Sequence, residues 1–119
     1  MKEMDVRKWE LRSKVWLEWD GRPIMGEGRM AMLQAIDRCG SIIEASRETG
    51  ISYRKIRGAI REMEDILRRP VVRAHRGGER GGGATLTPAA RDLLDFFRRL
   101  SGGFRQDMDA KFREQSEIF

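Results

Sequence analysis

Around residues 41–68 the chain holds two helix-forming runs with almost nothing between them. The first spans about 42–49 and stops at Gly50; the second opens at Tyr53, directly after Ser52. A connection this short forces the two helices to cross steeply and to share one buried face. The residues meet that demand. Ser41 stands at the cap position of the first helix. Ala45 and Ser46 are small where the helices cross, Gly50 suits the turn, and the next residue, Ile51, is apolar. Ile56 and Ala59 follow at the spacing that returns to the shared face. Ser52 is a good cap for the second helix, with Ile51 and Ile56 placed as a hydrophobic staple. Ile56, Ile60, Met63 and Leu67 line one face, and Pro70 ends the element. The pattern predicts a helix-turn-helix over about 41–68.

The flanking sequence completes a single domain of 119 residues. Trp16-Leu17-Glu18-Trp19 and Arg22-Pro23-Ile24-Met25 surround Asp20-Gly21, a turn that needs positive φ. A hairpin over about 13–25 is expected, with Pro23 restricting its second strand to an edge. Met32, Leu33, Ile36 and Cys39 then recur at helical spacing up to Gly40. After Pro70, Val71-Val72 opens a β-branched run, and five glycines fall within 77–83 before Ala84-Thr85-Leu86. These predict a second hairpin, a wing, over about 70–87. Thr87-Pro88 starts a last helix over about 88–119, with Thr as cap and Pro in the first turn. Leu93, Leu94, Phe97 and Leu100 form its stripe. Ser101-Gly102-Gly103 predicts a kink or break. The fold class is mainly α with small β-hairpins: a winged helix-turn-helix with an N-terminal hairpin and a C-terminal dimerisation helix.

Charge indicates the partner. Lys and Arg exceed Asp and Glu by 5, and residues 41–91 carry the whole excess. A polyanion is the simplest partner for such a block. On the second helix of the motif, Tyr53, Arg54, Arg57 and Arg61 lie opposite the apolar face, with Lys55 beside them. That is the layout of a helix that enters the major groove of double-stranded DNA. Gly58 within this face costs helix stability, which points to close approach by a partner. Arg76 and Arg80 bracket the glycine-rich tip, from which an Arg can reach a minor groove or phosphates. A nucleotide phosphate loop would need Gly-Lys-Ser/Thr opening a helix, or Gly-x-Gly-x-x-Gly in a βαβ unit, and neither is present. The bland alternatives are a solvated basic face and a mobile linker.

Other functional classes lack their residues. One Cys and one His make no metal site of ordinary spacing, so no metal and no cofactor are expected. Cys39 reads as a small buried side chain and His75 as a strand-edge residue. Glu62, Glu64 and Asp65 share a helix without a nucleophile or pocket, which leaves no catalytic residue to name. No apolar run approaches a membrane span, and the charged start does not resemble a signal peptide. A cytoplasmic protein is expected. Trp16 and Trp19 have opposite parity on a strand, one for the core and one for a partner subunit. With them, Leu93, Phe97, Leu100, Phe104, Met108 and Phe112 make an apolar stripe longer than a small core needs, and it is assigned to a homodimer interface. The residues leave two readings: a sequence-specific DNA-binding homodimer, and a protein-interaction adaptor that uses the same scaffold without specific DNA binding.

The sequence also resembles the DNA-binding domain of the ModE family of molybdate-responsive bacterial transcription regulators, a winged-helix module related to that of LysR-type regulators. The matching runs are Asp20-Gly21-Arg22-Pro23, Gly26-Glu27-Gly28-Arg29, Ala35-Ile36-Asp37, Gly40-Ser41-Ile42, Gly50-Ile51-Ser52-Tyr53-Arg54-Lys55 and the stretch from Gly77 to Pro88. They cover about residues 15–100. The resemblance implies a homodimer on a palindromic operator, with Ser52, Tyr53, Arg54, Lys55 and the wing facing DNA; Ser41 joins that set. Family members often carry Ala-Trp after the Arg-Lys pair, where this chain has Ile56-Arg57. They also place oxyanion-binding domains after this module. No molybdate-binding domain is expected within these 119 residues.

Overall fold

A computed structural model describes residues 5–76 and 82–118. The order is β1 (Trp16–Trp19), β2 (Arg22–Gly26), α1 (Glu27–Cys39), α2 (Ile42–Thr49), α3 (Tyr53–Leu67), β3 (Val72–His75), β4 (Gly83–Leu86) and α4 (Pro88–Gln115). Short 3-10 turns lie at Val6–Lys8 and Ser116–Ile118. β1 pairs with β2 and β3 with β4, both antiparallel, in two separate two-stranded sheets. This is a winged helix-turn-helix, mainly α with two small hairpins.

Local chemistry sets the boundaries. Asp20 and Gly21 both take positive φ, at 50° and 77°, which gives the first hairpin a turn that matches strand twist. Pairing slips by one residue between Leu17 and Glu18, so Ile24 is extra in β2. A regular strand would turn Ile24 and Met25 to opposite faces. The bulge lets both be buried. Ser41, Ser52 and Thr87 cap α2, α3 and α4, their hydroxyls accepting from the amides of Glu44, Lys55 and Ala90.

The core lies where the three short helices meet the first three turns of α4. Leu33, Ala35, Ile36, Ala45, Ile56, Met63, Val71 and Ala90 are fully enclosed, and Phe97 of α4 is 1% exposed. Leu93 and Leu94 complete this floor. Placing Leu93 and Phe97 on a subunit interface is therefore corrected: their apolar area is already buried in the core, where α4 packs on α1, β2 and β4. Leu100, by contrast, faces outward, 48% exposed. No break occurs at Ser101-Gly102-Gly103, since α4 runs unbroken to Gln115. Two glycines weaken the helix, but ending it would require a second nucleation. Arg105 beyond the glycines is held to Glu27 at the start of α1, 2.6 Å away. The protein measures 67 × 32 × 20 Å, and the distal half of α4 accounts for the long dimension.

Two smaller expectations also change. Trp16 and Trp19 are both exposed, so neither enters the core. The burial is supplied by Ile24 and Met25 of the opposite strand. Cys39 is half-exposed rather than buried, since its thiol turns toward Glu48.

Candidate nucleic-acid interface

The site is built on α3. Its inner face buries Ile56, Ala59, Ile60 and Met63 in the core, where α3 packs on α2 and β2. Helical period then turns Tyr53, Arg54, Lys55 and Arg61 to solvent, with Arg57 half-exposed. Gly50 takes φ 74°, the left-handed conformation that lets α2 end and α3 begin with three residues between them. The Ser46 hydroxyl donates to the Ile51 carbonyl at 2.6 Å and pins the turn from inside. Ser41 and Ser52 are committed as caps, 3.2 and 3.1 Å from the amides they accept from. A cap of this kind can still present its exposed end to a phosphate. A Cβ on Gly58 would meet nothing within 4 Å, so nothing in the fold itself demands glycine there.

The wing sits directly on this motif. Val72 pairs with Leu86, Arg73 with Thr85, Ala74 with Ala84 and His75 with Gly83. Ala84 and Leu86 point into the core, while Arg73, His75 and Arg76 are exposed. His75 bonds through Nε2 to the Thr85 hydroxyl at 2.9 Å, a bond across the two strands. Arg80 and the rest of the tip, 77–81, lie outside the described residues. Thr87 fixes the base: its hydroxyl donates to the Pro70 carbonyl at 2.7 Å, and its amide donates to the Val71 carbonyl at 3.0 Å.

Ion pairing divides the surface. Arg29 meets Glu62, Arg22 meets Asp65 at 2.9 Å, Arg38 meets Glu48, and Arg47 meets Glu44 at 2.8 Å. On α4, Arg91 and Arg98 pair with Asp37 and Asp95. From Arg54 to Arg76 the pattern reverses. Among the described residues, none of Arg54, Lys55, Arg57, Arg61, Arg68, Arg69, Arg73 and Arg76 has a carboxylate within ion-pair distance. The acids of α3 are drawn off elsewhere. Glu62 and Asp65 go to arginines of α1 and β2, and Glu64 accepts from the Val71 amide at 2.8 Å. What remains on α3, at its end and along β3 is a set of exposed or half-exposed cations without carboxylate partners among the described residues. The sequence spacing does not single out Arg68, Arg69 or Arg73. Their signal was the absence of a free acid nearby, which only folding reveals.

The remaining titratable cluster is small. Cys39 donates its S–H to Glu48 at 2.8 Å, and that bond holds the thiol above its usual range. The Glu48 carboxyl is held low by the same bond and by Arg38. Among the described residues no group of His, Cys, Asp and Glu could hold a metal. Nor is any described helix long and apolar enough to cross a membrane.

Helix-turn-helix and wing define a winged helix-turn-helix module, and the basic residues of its α3 have no carboxylate partners among the described residues. The family model for bacterial regulatory helix-turn-helix proteins of the lysR family matches residues 28–91, and the chain belongs to that family. Its relatives are regulators and binding proteins rather than enzymes. The molybdenum-pterin-binding protein MopB of Rhodobacter capsulatus is 44% identical over 79 residues, 66% of this chain and 29% of its own length. The molybdenum transport protein ModE of Azotobacter vinelandii is 28% identical over 106 residues, 89% of this chain and 39% of its own. The DNA-binding transcriptional dual regulator ModE of Escherichia coli K12 is 34% identical over 73 residues, 61% and 28%. The chain thus spans about a third of the length of these relatives, and the matched part is a ModE-type helix-turn-helix domain. Among solved structures, the CbnR_DBD–DNA complex superposes with TM-score 0.55 at 20% identity, covering 73% of this chain and 94% of that one. BpsR of Bordetella bronchiseptica gives 0.53 at 20% identity, covering 70% and 60%. These two likenesses concern the fold.

Proposed function

We propose that this chain is the sequence-specific DNA-binding module of a homodimeric transcription regulator. In this reading α3 enters the major groove, with Tyr53, Arg54, Lys55 and Arg57 toward base edges and phosphates. The wing, with Arg76 and Arg80, lies along the minor groove or backbone. The observation that carries the reading is the division of ion pairs: among the described residues, the arginines of α1 and α2 are all matched and α4 matches Arg91, Arg98 and Arg105, while no basic residue of α3 or β3 is matched. Leaving so many cations unpaired keeps them available for phosphates, whose counterions they would release. The lysR-family match and the relatives named ModE support the same reading.

Two copies are needed because one recognition helix reads too few base pairs to find a genomic site. Leu100 and Phe104 are exposed on α4 beyond the core, with Met108 and Phe112 half-exposed further on. That stripe is the proposed interface, and a palindromic operator follows from its two-fold symmetry. Selection of duplexes from a random pool, followed by salt titration of the selected and an unselected duplex, tests the function. A selected inverted repeat bound far more tightly than the unselected duplex is expected. Equal, weak binding to both would favour an adaptor whose basic face meets an acidic protein.

A further inference from the structure

α1, α2 and α3 all end on a residue in the left-handed conformation, and α3 breaks the pattern. α1 closes on Gly40 at φ 68° and α2 on Gly50 at φ 74°. α3 closes on Arg68 at φ 58°. Asp20, in the hairpin turn, is the other described non-glycine at positive φ. Glycine is the usual occupant of such a closing position, because a Cβ there crowds the backbone. An arginine accepts that strain without any visible return inside the fold. Its side chain is exposed and, among the described residues, meets no carboxylate. Glu64, one turn earlier, is committed to the Val71 amide, and the next residue, Arg69, is likewise exposed and unpaired.

Position along the helix says what this pair is for. Arg54, Arg61 and Arg68 are seven residues apart, a spacing that drifts only about 20° per step around a helix. Arg54 and Arg61 therefore share one stripe of α3, and Arg68 closes the helix one heptad further on, just past its last residue, Leu67. Asp65 shares that stripe, and its charge is taken by Arg22 at 2.9 Å. A helix of 15 residues is about 22 Å long, whereas the major groove is about 12 Å wide. With the N-terminal half among the bases, the far end overruns the groove and meets its bounding backbone.

We infer that Arg68 and Arg69 form a phosphate clamp at the C-terminal end of α3, and that the left-handed arginine is kept at the expense of helix stability to anchor the duplex. The inference rests on α3 being the DNA-reading helix. The test uses the full chain and two fluorescein-labelled duplexes, one selected from a random pool and one unselected, with fluorescence anisotropy across a salt series. Arg68→Gly should raise the melting temperature by a few degrees, since it relieves the strain. It should weaken both duplexes alike, roughly three- to tenfold, and reduce the salt slope by about one. Arg68→Lys, which keeps charge and backbone, should retain most of the affinity. Native affinity and native slope in Arg68→Gly, beside a clear loss in Arg54→Ala, would overturn the clamp and leave the docking helix standing. If Arg54→Ala and Arg57→Ala also bind as the parent does, the clamp falls together with the docking reading. A loss in Arg68→Gly confined to the selected duplex would mean base readout and would also overturn a phosphate clamp.

Discussion

The carbonyl oxygen of Gly40, at the end of α1, accepts a hydrogen bond from the amide of Ala84 in β4 at 2.8 Å. The wing is thereby tied to α1 as well as to α3. The approach is close enough that a Cβ on Gly83 would stand 2.9 Å from that same carbonyl oxygen. Gly83→Ala should therefore destabilise the fold by about 1–3 kcal/mol, the usual cost of overpacking. Thermal unfolding followed by circular dichroism checks this. A melting temperature equal to the parent's would show that the strand can shift without losing its tie.

Arg54 and Arg57 stand exposed and half-exposed on the outward face of α3, without carboxylate partners among the described residues. Each changed to Ala should lose ~1–3 kcal/mol of binding to a selected duplex if it reads a base. The fold should survive, because neither side chain belongs to the core. Unchanged affinity in both variants would remove α3 as the docking helix.

Along α4, two phenylalanines seven residues apart have different fates. Phe97 is 1% exposed in the core, while Phe104 is 42% exposed. Phe97→Ala should cost about 3–5 kcal/mol of stability. Phe104→Asp should leave the melting transition near the parent's at the protomer level and shift a dimer toward monomer in sedimentation. An intact parent chain that sediments as a monomer at every micromolar concentration tried would dismiss the proposed interface altogether.

The Cys39 thiol gives a pH signature. Donation to the Glu48 carboxylate, the largest cause of its raised pKa, stabilises the protonated thiol and depletes thiolate near neutral pH. Alkylation by iodoacetamide should be slower than for an ordinary exposed cysteine and should rise at higher pH. Glu48→Gln removes the charge and should move the alkylation profile to lower pH. Glu48 itself is held low by that bond first and by Arg38 second. Its contribution to stability is therefore present above its unfolded pKa and fades as pH falls through the folded one. A Glu48→Gln profile that superposes on the parent's would mean that the bond does not govern the thiol.

Much of the fold was legible because it rests on local rules. Ser41, Ser52 and Thr87 are side chains that cap helices wherever the chain can turn, and Gly50 permits the turn between α2 and α3. Asp20-Gly21 sets its own hairpin. The errors arose where local pattern underdetermined packing. Period alone gives Leu93, Phe97, Leu100 and Phe104 one stripe, but cannot say how far the other helices extend beneath it. A glycine pair predicts a break unless contacts on both sides hold the helix, as Arg105 and Glu27 do.

The order of nearby residues determined the helices, their caps, the two hairpins and the outward arginines of α3, since each depends on neighbours within a few positions. Tertiary structure decided the rest. It buried Ile24 and Met25 together through a bulge, and it carried Glu62 and Asp65 to arginines on α1 and β2. Among the described residues it left the basic side chains from Arg54 to Arg76 without carboxylate partners, because ion pairing depends on distance in space. That distance is set only when helices far apart in the chain close on one core.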